Sequence, residues 1–508
     1  MMGERVKKPY VLALDQGTTS SRAVLFDQGG QVVSSASHPI RQIYPRPGWV
    51  EHDPVEIFDT IVESAKEALD KAGASASQID CIGITNQRET TVLWDKKTGK
   101  PIHNAVVWQC RRTAEICEQL KSRGLADTIR KKTGLVPDAY FSGPKVKWLL
   151  DSVPGARELA AKRSLAVGTI DTWIIYNLTG RKELVTDVSN ASRTMLFNIG
   201  TLRWDEELLD ALDVPVGILP TVLKSSDRFG FTAKDAFLGS EIPITGVAGD
   251  QQAALFGQTG FEPGDVKITY GTGCFLLMNT GGERRLSNSG LLTTIAWGIG
   301  NTVTYALEGS VFMGGAVVQW LRDELGLIKT AEESESVARS LKDNGGVYFI
   351  PAFTGLGAPH WDMYARGLIC GLTRGTGRAH IVRAGLESIA YQCEEVIRCM
   401  EKDAEQKIAS LKADGGAAAN SFLMQFQSDL SGIPVVVPKN RETTALGAAM
   451  LAGLQTGFWC GLDELKRIWQ LDRQFPPHME TALRESLLGG WHRAVTRAQD
   501  WLRPDQQA

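Results

Sequence analysis

Apolar and polar positions along the chain follow two rhythms. Val11 to Leu14 is an apolar run that stops at Asp15, and residues 10 to 35 read as strand, turn, strand. Val55 to Ala72 changes to helical spacing, with Ile57, Phe58, Ile61, Val62, Ala65 and Leu69 on one face. Ile79 to Thr85 reads as a buried strand that delivers Asn86-Gln-Arg-Glu-Thr90 at its end. Ala105 to Trp108 reads as a short strand leading into Cys110-Arg-Arg and a helix. Ile242 to Val247 is apolar again, followed by Gly249-Asp-Gln, a helical run to Gly257 and the turn cluster Gly260-Phe-Glu-Pro-Gly264. Farther on, Arg378 to Met400 has one apolar face of a long helix, formed by Ile381, Val382, Leu386, Ile389, Cys393, Val396 and Ile397. Ala413 to Asn420 leads into another helix, and Ile433 to Val437 is a short strand. Ala445 to Gly453 is rich in small residues, as a closely packed helix would be. Strands mixed with helices predict an α/β architecture, in which polar residues just past strand ends line a ligand crevice.

A chain of 508 residues exceeds what one core usually supports, so two or more domains are expected, with a boundary near residue 257. The hydrophobic share of 43% supplies ample core material. A net charge of −3 gives no reason to expect nucleic acid as a partner. Eight cysteines occur without a C-x-x-C pair or a zinc-like His/Cys spacing, so reduced, mostly buried thiols are expected. Seven dispersed histidines suggest no metal cluster. Arg5, Lys7 and Lys8 precede an apolar run too short for a signal peptide, and no stretch approaches a membrane span. A cytoplasmic protein with no membrane span follows as the expectation.

Two segments share one design. In Asp15-Gln-Gly-Thr-Thr-Ser-Ser-Arg22, and again in Lys267-Ile-Thr-Tyr-Gly-Thr-Gly-Cys274, an apolar run enters a glycine- and hydroxyl-rich turn and another apolar run leaves it. Such turns hold phosphate, because glycine lets the backbone approach and amides and hydroxyls converge on the anion. Asp15 at a strand end is placed to hold Mg²⁺, which prefers one or two carboxylates plus phosphate oxygens. Arg22 is placed to stabilise charge on a transferred group. An ordinary polar hairpin is the competing reading of the first turn. Gly271-Thr-Gly273 and Asp414-Gly-Gly416 are open to close ligand approach, or are simply turns. Asp250, between a strand and a helix, suits a general base that takes a hydroxyl proton, or an ordinary helix cap. Arg88-Glu89 offers a donor fork and an acceptor for a small polyol, or is a solvated pair. Trp108 and Phe275 suit a wall for a carbon backbone, or a core.

Taken together, these segments resemble the FGGY carbohydrate kinases. The resemblance is carried by Ala13-Leu-Asp-Gln-Gly-Thr-Thr-Ser-Ser-Arg22, Gly83-Ile-Thr-Asn-Gln-Arg-Glu-Thr-Thr91, Val107-Trp-Gln-Cys-Arg-Arg112, Ala248-Gly-Asp-Gln-Gln-Ala-Ala-Leu-Phe-Gly257 and Thr269-Tyr-Gly-Thr-Gly-Cys-Phe275. Pro351-Ala-Phe-Thr-Gly-Leu-Gly-Ala-Pro359 and Asp414-Gly-Gly416 continue it, so it spans nearly the whole chain. It implies two actin-like (ribonuclease H-like) α/β domains, residues 1–257 and 258–508, with a catalytic cleft between them. It also implies ATP with Mg²⁺ as donor and glycerol as acceptor, giving sn-glycerol 3-phosphate and ADP, and a homo-oligomer (dimer or tetramer). By that resemblance Thr18, Thr19, Ser20 and Arg22 contact the nucleotide phosphates, and Thr272, Gly315, Gln319, Gly416 and Asn420 complete the nucleotide site. Arg88, Glu89, Tyr140, Asp250 and Gln251 match the acceptor-binding positions, with Trp108 and Phe275 flanking its carbons.

Three departures stand out. Gly143-Pro144-Lys145 replaces a Gly-Thr-Lys common among relatives and is expected to leave Tyr140 in place. Thr232 to Gly239 lacks the Gly-rich, Arg-bearing loop that binds a sugar bisphosphate in some bacterial members. No histidine lies between residues 103 and 360, so the histidine phosphorylation switch of other members is not expected. A kinase for another polyol or a ketose is the nearest rival reading. A non-catalytic sensor would be expected to lack Asp15 or Asp250, and both are intact.

Overall fold

A computed structural model describes residues 8–502; Arg5 and Lys7 lie outside them. The framework is one thirteen-stranded mixed sheet. The first half of the chain supplies β1 (Tyr10–Gln16), β2 (Ser20–Phe26), β3 (Val32–Pro39), β4 (Ile79–Asn86), β5 (Ser226–Phe231) and β6 (Pro243–Gly249). The second supplies β7 (Val266–Tyr270), β8 (Cys274–Gly281), β9 (Leu292–Ile299), β10 (Thr302–Val311), β11 (Leu411–Asp414), β12 (Val435–Pro438) and β13 (Leu471–Phe475). Their order across the sheet is β13-β12-β11-β7-β8-β10-β9-β5-β6-β4-β1-β2-β3. The halves join where β5 meets β9, at the single paired position Ser226 and Ile299.

Each half repeats one plan. An antiparallel set, β3-β2-β1 or β10-β8-β7, is extended by two parallel strands, β4 and β6 or β11 and β12. The echo between the two glycine turns is therefore a repeated topology, and the fold is the two-domain α/β class expected.

The helices that cover the sheet are α1 (Pro54–Ala72), α2 (Ser142–Ser152), α3 (Ile170–Leu178), α4 (Asp250–Gly257), α5 (Gly315–Asp323), α6 (Arg378–Ala404), α7 (Ser421–Ser431) and α8 (Thr443–Thr456). α1 starts where the Asp53 side chain accepts from the Val55 amide and ends at Gly73, whose φ of 61° suits glycine. Its buried face is Ile57, Ile61, Ala65, Ala68 and Leu69; Phe58 and Val62, expected on that face, are only half-buried at its edge. β1 is buried on both sides, which explains its unbroken apolar run. Leu12 and Leu14 face α1 and α3, whereas Val11 and Ala13 face α8.

Ala105–Val106 alone is strand, so Trp108 belongs to the turn after it. The strand expected from Ile433 begins only at Val435, because Pro434 has no N–H for the ladder. Pro144 lies in the first turn of α2, where an amide has no partner within the helix, so the helix forms regardless.

The two halves exchange one helix each. α8, from the second half, lies on β1, β4 and β6 of the first. α4, from the first half, lies against β7, β8 and β9 of the second, and the two helices cross. Glycine permits both contacts. A Cβ on Gly83 would meet the Ala448 carbonyl, and one on Gly246 the Ala452 amide. At the crossing, Gly447 abuts the Ala253 carbonyl and Gly257 abuts the Thr443 carbonyl. The small residues of Ala445 to Gly453 are thus the price of bringing helix backbone directly onto strand backbone.

Gly447→Ala should therefore destabilise the protein by about 1–3 kcal/mol through overpacking, despite the roughly 1 kcal/mol that alanine otherwise gains inside a helix. A lower urea midpoint is the expected reading; a midpoint at or above the parent's would contradict so close a crossing.

Candidate active site

β1, β4 and β6 are parallel neighbours, with Asp15 level with Thr85 and Gly249 level with Asn86. Their carboxyl ends therefore open into one crevice, which receives Asp15, the loop Gln87 to Thr90, and Asp250. The antiparallel partner β2 sets Arg22 opposite Asp15. Buried polar groups pin these ends. Asn86 Nδ2 donates to Asn190 Oδ1 at 3.0 Å, and the Gly249 amide donates to Ser189 Oγ at 3.0 Å.

Arg88 and Glu89 are sealed from water, at 3% and 1% exposure, so the solvated-pair reading does not hold. Nor are they each other's main partners. Arg88 grips Glu308 of β10 with both forks, Nη1 to Oε2 at 2.6 Å and Nη2 to Oε1 at 2.8 Å. Glu89 accepts from Arg193 Nε at 2.6 Å, and Arg193 Nη2 also reaches Glu308 at 3.0 Å. Burial alone would raise the Glu308 carboxyl, but Arg193 and Arg88 hold it down at about 2. Burial raises Glu89 despite the same two arginines. The backbone of Glu89 is left-handed, with φ of 60°, a strained conformation held by its surroundings. Glu308 and Arg193 escaped the sequence reading because Glu308 lies in mid-strand and Arg193 in a turn without glycine.

The rest of the expected acceptor set converges here. Arg88 Nε lies 3.2 Å from Asp250 Oδ1, and Arg88 Nη2 donates to the Tyr140 hydroxyl at 3.3 Å. Tyr140 is held by Lys145, a fully buried cation that donates to the carbonyls of Ala139 (2.8 Å), Tyr140 and Phe141 (3.0 Å). Burial lowers the Lys145 amine to about 8. Trp108 packs edge-on against Tyr140 at 5.5 Å and Phe275 at 6.4 Å, so the aromatic wall draws on both halves. Gln251 accepts from Lys267 Nζ of β7, an amine that burial lowers to about 8. Asp250 is not the helix cap: Gly249 takes that position and Asp250 is the first residue of α4. With 32% of its side chain exposed, Asp250 is the most open carboxylate of this group, whereas Glu89 and Glu308 are buried.

In the first glycine turn, Gly17 N bonds the Ser20 carbonyl at 2.9 Å, and Thr18 Oγ1 accepts from Trp108 Nε1 at 3.0 Å. The turn is thereby tied to the aromatic wall, while Thr19 and Ser20 keep open faces. Arg22 is engaged by Glu442 just before α8, Nη1 to Oε2 at 2.5 Å. Burial and the facing Asp250 push the Asp15 carboxyl up to about 7. Among the described residues no three His, Cys, Asp or Glu side chains form a metal cage. Two mutually repelling carboxylates without a third ligand fit Mg²⁺, which takes its remaining oxygens from phosphates and water.

The second turn borders a cavity of about 410 Å³ that contains all five remaining expected residues: Thr272, Gly315, Gln319, Gly416 and Asn420. The amides of Gly314 and Gly315 bond the Thr272 and Gly271 carbonyls, both at 2.8 Å, so the start of α5 is stitched to the turn. A Cβ on Gly315 would press on the Gly271 carbonyl at 2.9 Å, whereas one on Gly416 would meet nothing within 4 Å. Asp414, expected only as a strand end, is a buried hub. It accepts from Thr269 (2.5 Å), Gln258 (2.8 Å) and Thr443 (2.8 Å), joining β7 to the ends of both exchanged helices. Asn420 caps α7 by accepting from the Leu423 amide at 3.0 Å.

Residues 10–257 match the N-terminal domain, and residues 266–456 the C-terminal domain, of the FGGY family of carbohydrate kinases. Glycerol kinase 2 of Thermotoga maritima is 61% identical over 492 residues, covering 97% of this chain and 99% of that protein. Glycerol kinase of Symbiobacterium thermophilum is 62% identical over 496 residues, 98% of this chain and 99% of the relative. Among solved structures, Plasmodium falciparum glycerol kinase with ADP superposes with a TM-score of 0.89 at 38% identity, over 96% of this chain and 98% of that one. Ligand-bound xylulose kinase from Lactobacillus acidophilus gives 0.86 at 26% identity, again over 96% and 98%.

The raised Asp15 carboxyl makes a signed prediction. A carboxyl at about 7 when folded, against 3.8 as its ordinary value, costs stability as pH rises from 3.8 through 7. In metal-free, ligand-free buffer, Asp15→Asn should stabilise the fold above pH 7 by roughly 1–3 kcal/mol, and by nothing below pH 4. Denaturation at the two pH values checks it; an equal effect at both would contradict the repulsion.

Proposed function

The chain belongs to the FGGY family of carbohydrate kinases, and from that premise we propose that it transfers the γ-phosphoryl group of ATP to glycerol, giving sn-glycerol 3-phosphate and ADP. The observation that carries this reading is the convergence of Arg88, Glu89, Tyr140, Asp250 and Gln251 beside the Trp108, Tyr140 and Phe275 rings. Three hydroxyls on three carbons suit such a set, since a site that hydrogen-bonds each one rejects an analogue lacking one.

Asp250 is the general base. Its exposed carboxylate orients the reacting hydroxyl and takes its proton as the oxygen attacks the γ-phosphorus. The bond from that phosphorus to the bridging oxygen breaks, and ADP leaves with the electron pair. Thr18, Thr19 and Ser20 donate to phosphate oxygens, and Arg22 exchanges Glu442 for the transferring group. Asp15 would hold Mg²⁺, which would supply positive charge to offset that of the phosphates. Thr272, Gly315, Gln319, Gly416 and Asn420 hold the nucleotide in the cavity of the second half. Rate enhancement then rests on positioning and preorganised charge.

We divide the chain at residue 257 into an acceptor and catalytic domain, 1–257, and a nucleotide domain, 258–508. Closure of the two halves on the bound substrates would exclude water as a competing acceptor. A dimeric or tetrameric assembly and a cytoplasmic setting belong to the same reading. Mostly buried cysteines without a C-x-x-C pair support a reducing compartment. Among the described residues no helix is long and apolar enough to cross a membrane.

Two substitutions separate the halves of this mechanism. Asp250→Asn should lower kcat with glycerol by roughly 10²–10⁴-fold while ADP still binds; near-parent turnover would remove the base assignment. Gly416→Val should project its side chain into the cavity, raising the KM for ATP several-fold with little change in that for glycerol. An unchanged ATP KM would place the nucleotide elsewhere.

A further inference from the structure

The acceptor residues lie on the first half of the chain, yet the group that holds them in place does not. Glu308 lies inside β10, opposite Leu277 of β8 on one side and Leu292 of β9 on the other. It is fully buried in the interior of a sheet, the stiffest place the fold offers. Its two oxygens bind three guanidinium nitrogens: Arg88 Nη1 (2.6 Å), Arg88 Nη2 (2.8 Å) and Arg193 Nη2 (3.0 Å).

A guanidinium has five N–H donors in one plane. For Arg88, Glu308 takes one from each fork. Gln252 Oε1 takes another from Nη1 at 3.2 Å, the Tyr140 hydroxyl takes another from Nη2 at 3.3 Å, and Nε faces Asp250. The two bonds to Glu308 are the short ones; those facing the other acceptor residues are long. A planar group fixed by two short bonds on one edge has the direction of its remaining donors decided for it. Arg193, held by the same carboxylate, is left with Nε for Glu89, while its Nη1 is buried without a partner. The two residues expected to read glycerol directly, Arg88 and Glu89, are both aimed through Glu308.

We propose that Glu308 is the positioning residue of the acceptor site, and that it fixes acceptor affinity and selectivity from the second half of the molecule by setting the planes of Arg88 and Arg193. This rests on the functional reading above, in which Arg88 and Glu89 bind glycerol. Glu308 itself is walled off from the crevice and acts only through the arginines. It lies three residues after Tyr305 and two before Ser310, whose partner Phe275 belongs to the aromatic wall. One antiparallel pair, β8 with β10, thus carries the second glycine turn at its end, an acceptor ring and the carboxylate that orders the acceptor donors.

The test compares the parent with Glu308→Gln and Glu308→Asp, measuring the KM for glycerol, the KM for propane-1,2-diol and the Kd for ADP. In both variants the glycerol KM should rise at least fivefold, its preference over propane-1,2-diol should fall, and the ADP Kd should stay within twofold. Aspartate keeps the charge but shortens the reach. If Glu308 only balanced charge, Glu308→Asp would behave as the parent, and a glycerol KM rise below fivefold in that variant overturns the proposal. ADP affinity falling in step with glycerol affinity overturns it too, since that marks general loosening of the fold. Should Glu308→Gln fail to fold, leaving two buried cations with one carboxylate, Glu308→Asp decides alone. A parent that releases no ADP with glycerol overturns the functional reading, and this proposal with it.

Discussion

A buried cluster of two arginines and two glutamates governs this site. Arg88, Arg193, Glu89 and Glu308 are each no more than 3% exposed. Taking four charges out of water is expensive, and mutual attraction compensates only where geometry is good and each group is hydrogen-bonded. Here the geometry is good: four hydrogen bonds of 2.6 to 3.0 Å link Arg88, Glu308, Arg193 and Glu89 in alternating charge, and a 3.8 Å approach of Arg88 Nε to Glu89 Oε1 closes the ring. An apolar core of equal volume would be at least as stable, so the cluster is best understood through what it orders. It holds a donor fork and an acceptor carboxylate at one strand end, and holds Glu89 in its left-handed backbone.

The same requirement explains the exchanged helices. Two of the four charges come from strand-end residues of β4, one from the irregular stretch after Asn190, and one from β10. Such a ring closes only if the two halves keep a defined relation across a seam with a single paired position. The glycine crossing of α4 and α8 supplies that relation, and Asp414 fastens both helix ends to β7. Helix exchange and the charge ring are thus two parts of one constraint, the first setting the distance between the halves and the second using it.

Much of this was legible in the sequence, for physical reasons. Helical apolar periods located α1 and α6, a run of small residues located α8, and strand-end polar clusters pointed to Asp15, Arg88 and Asp250. Glycine-hydroxyl turns pointed to Thr18 and Thr272, on the expectation that phosphate demands close backbone approach. Asp414-Gly-Gly416 pointed to Gly416, resemblance supplied Gly315, Gln319 and Asn420, which carry no local signal, and all four border one cavity. Glu308 sits in Ala306-Leu-Glu-Gly-Ser310, where a single charge in an apolar run has no nearby partner to betray its role. Arg193 and Glu442 are equally silent: their partners lie far along the chain, and only folding brings them together. The opposite error befell Arg88-Glu89, which looks like a self-contained pair and is not.

The central claim is that this geometry phosphorylates glycerol in preference to larger or hydroxyl-poor acceptors. Its most direct measurement is ADP release with ATP and each of glycerol, dihydroxyacetone, erythritol and xylulose, with the product of the glycerol reaction identified by its stereochemistry. The account predicts the highest kcat/KM for glycerol and sn-glycerol 3-phosphate as the product. A higher kcat/KM for xylulose or erythritol, or ADP release that does not depend on any acceptor, would contradict it.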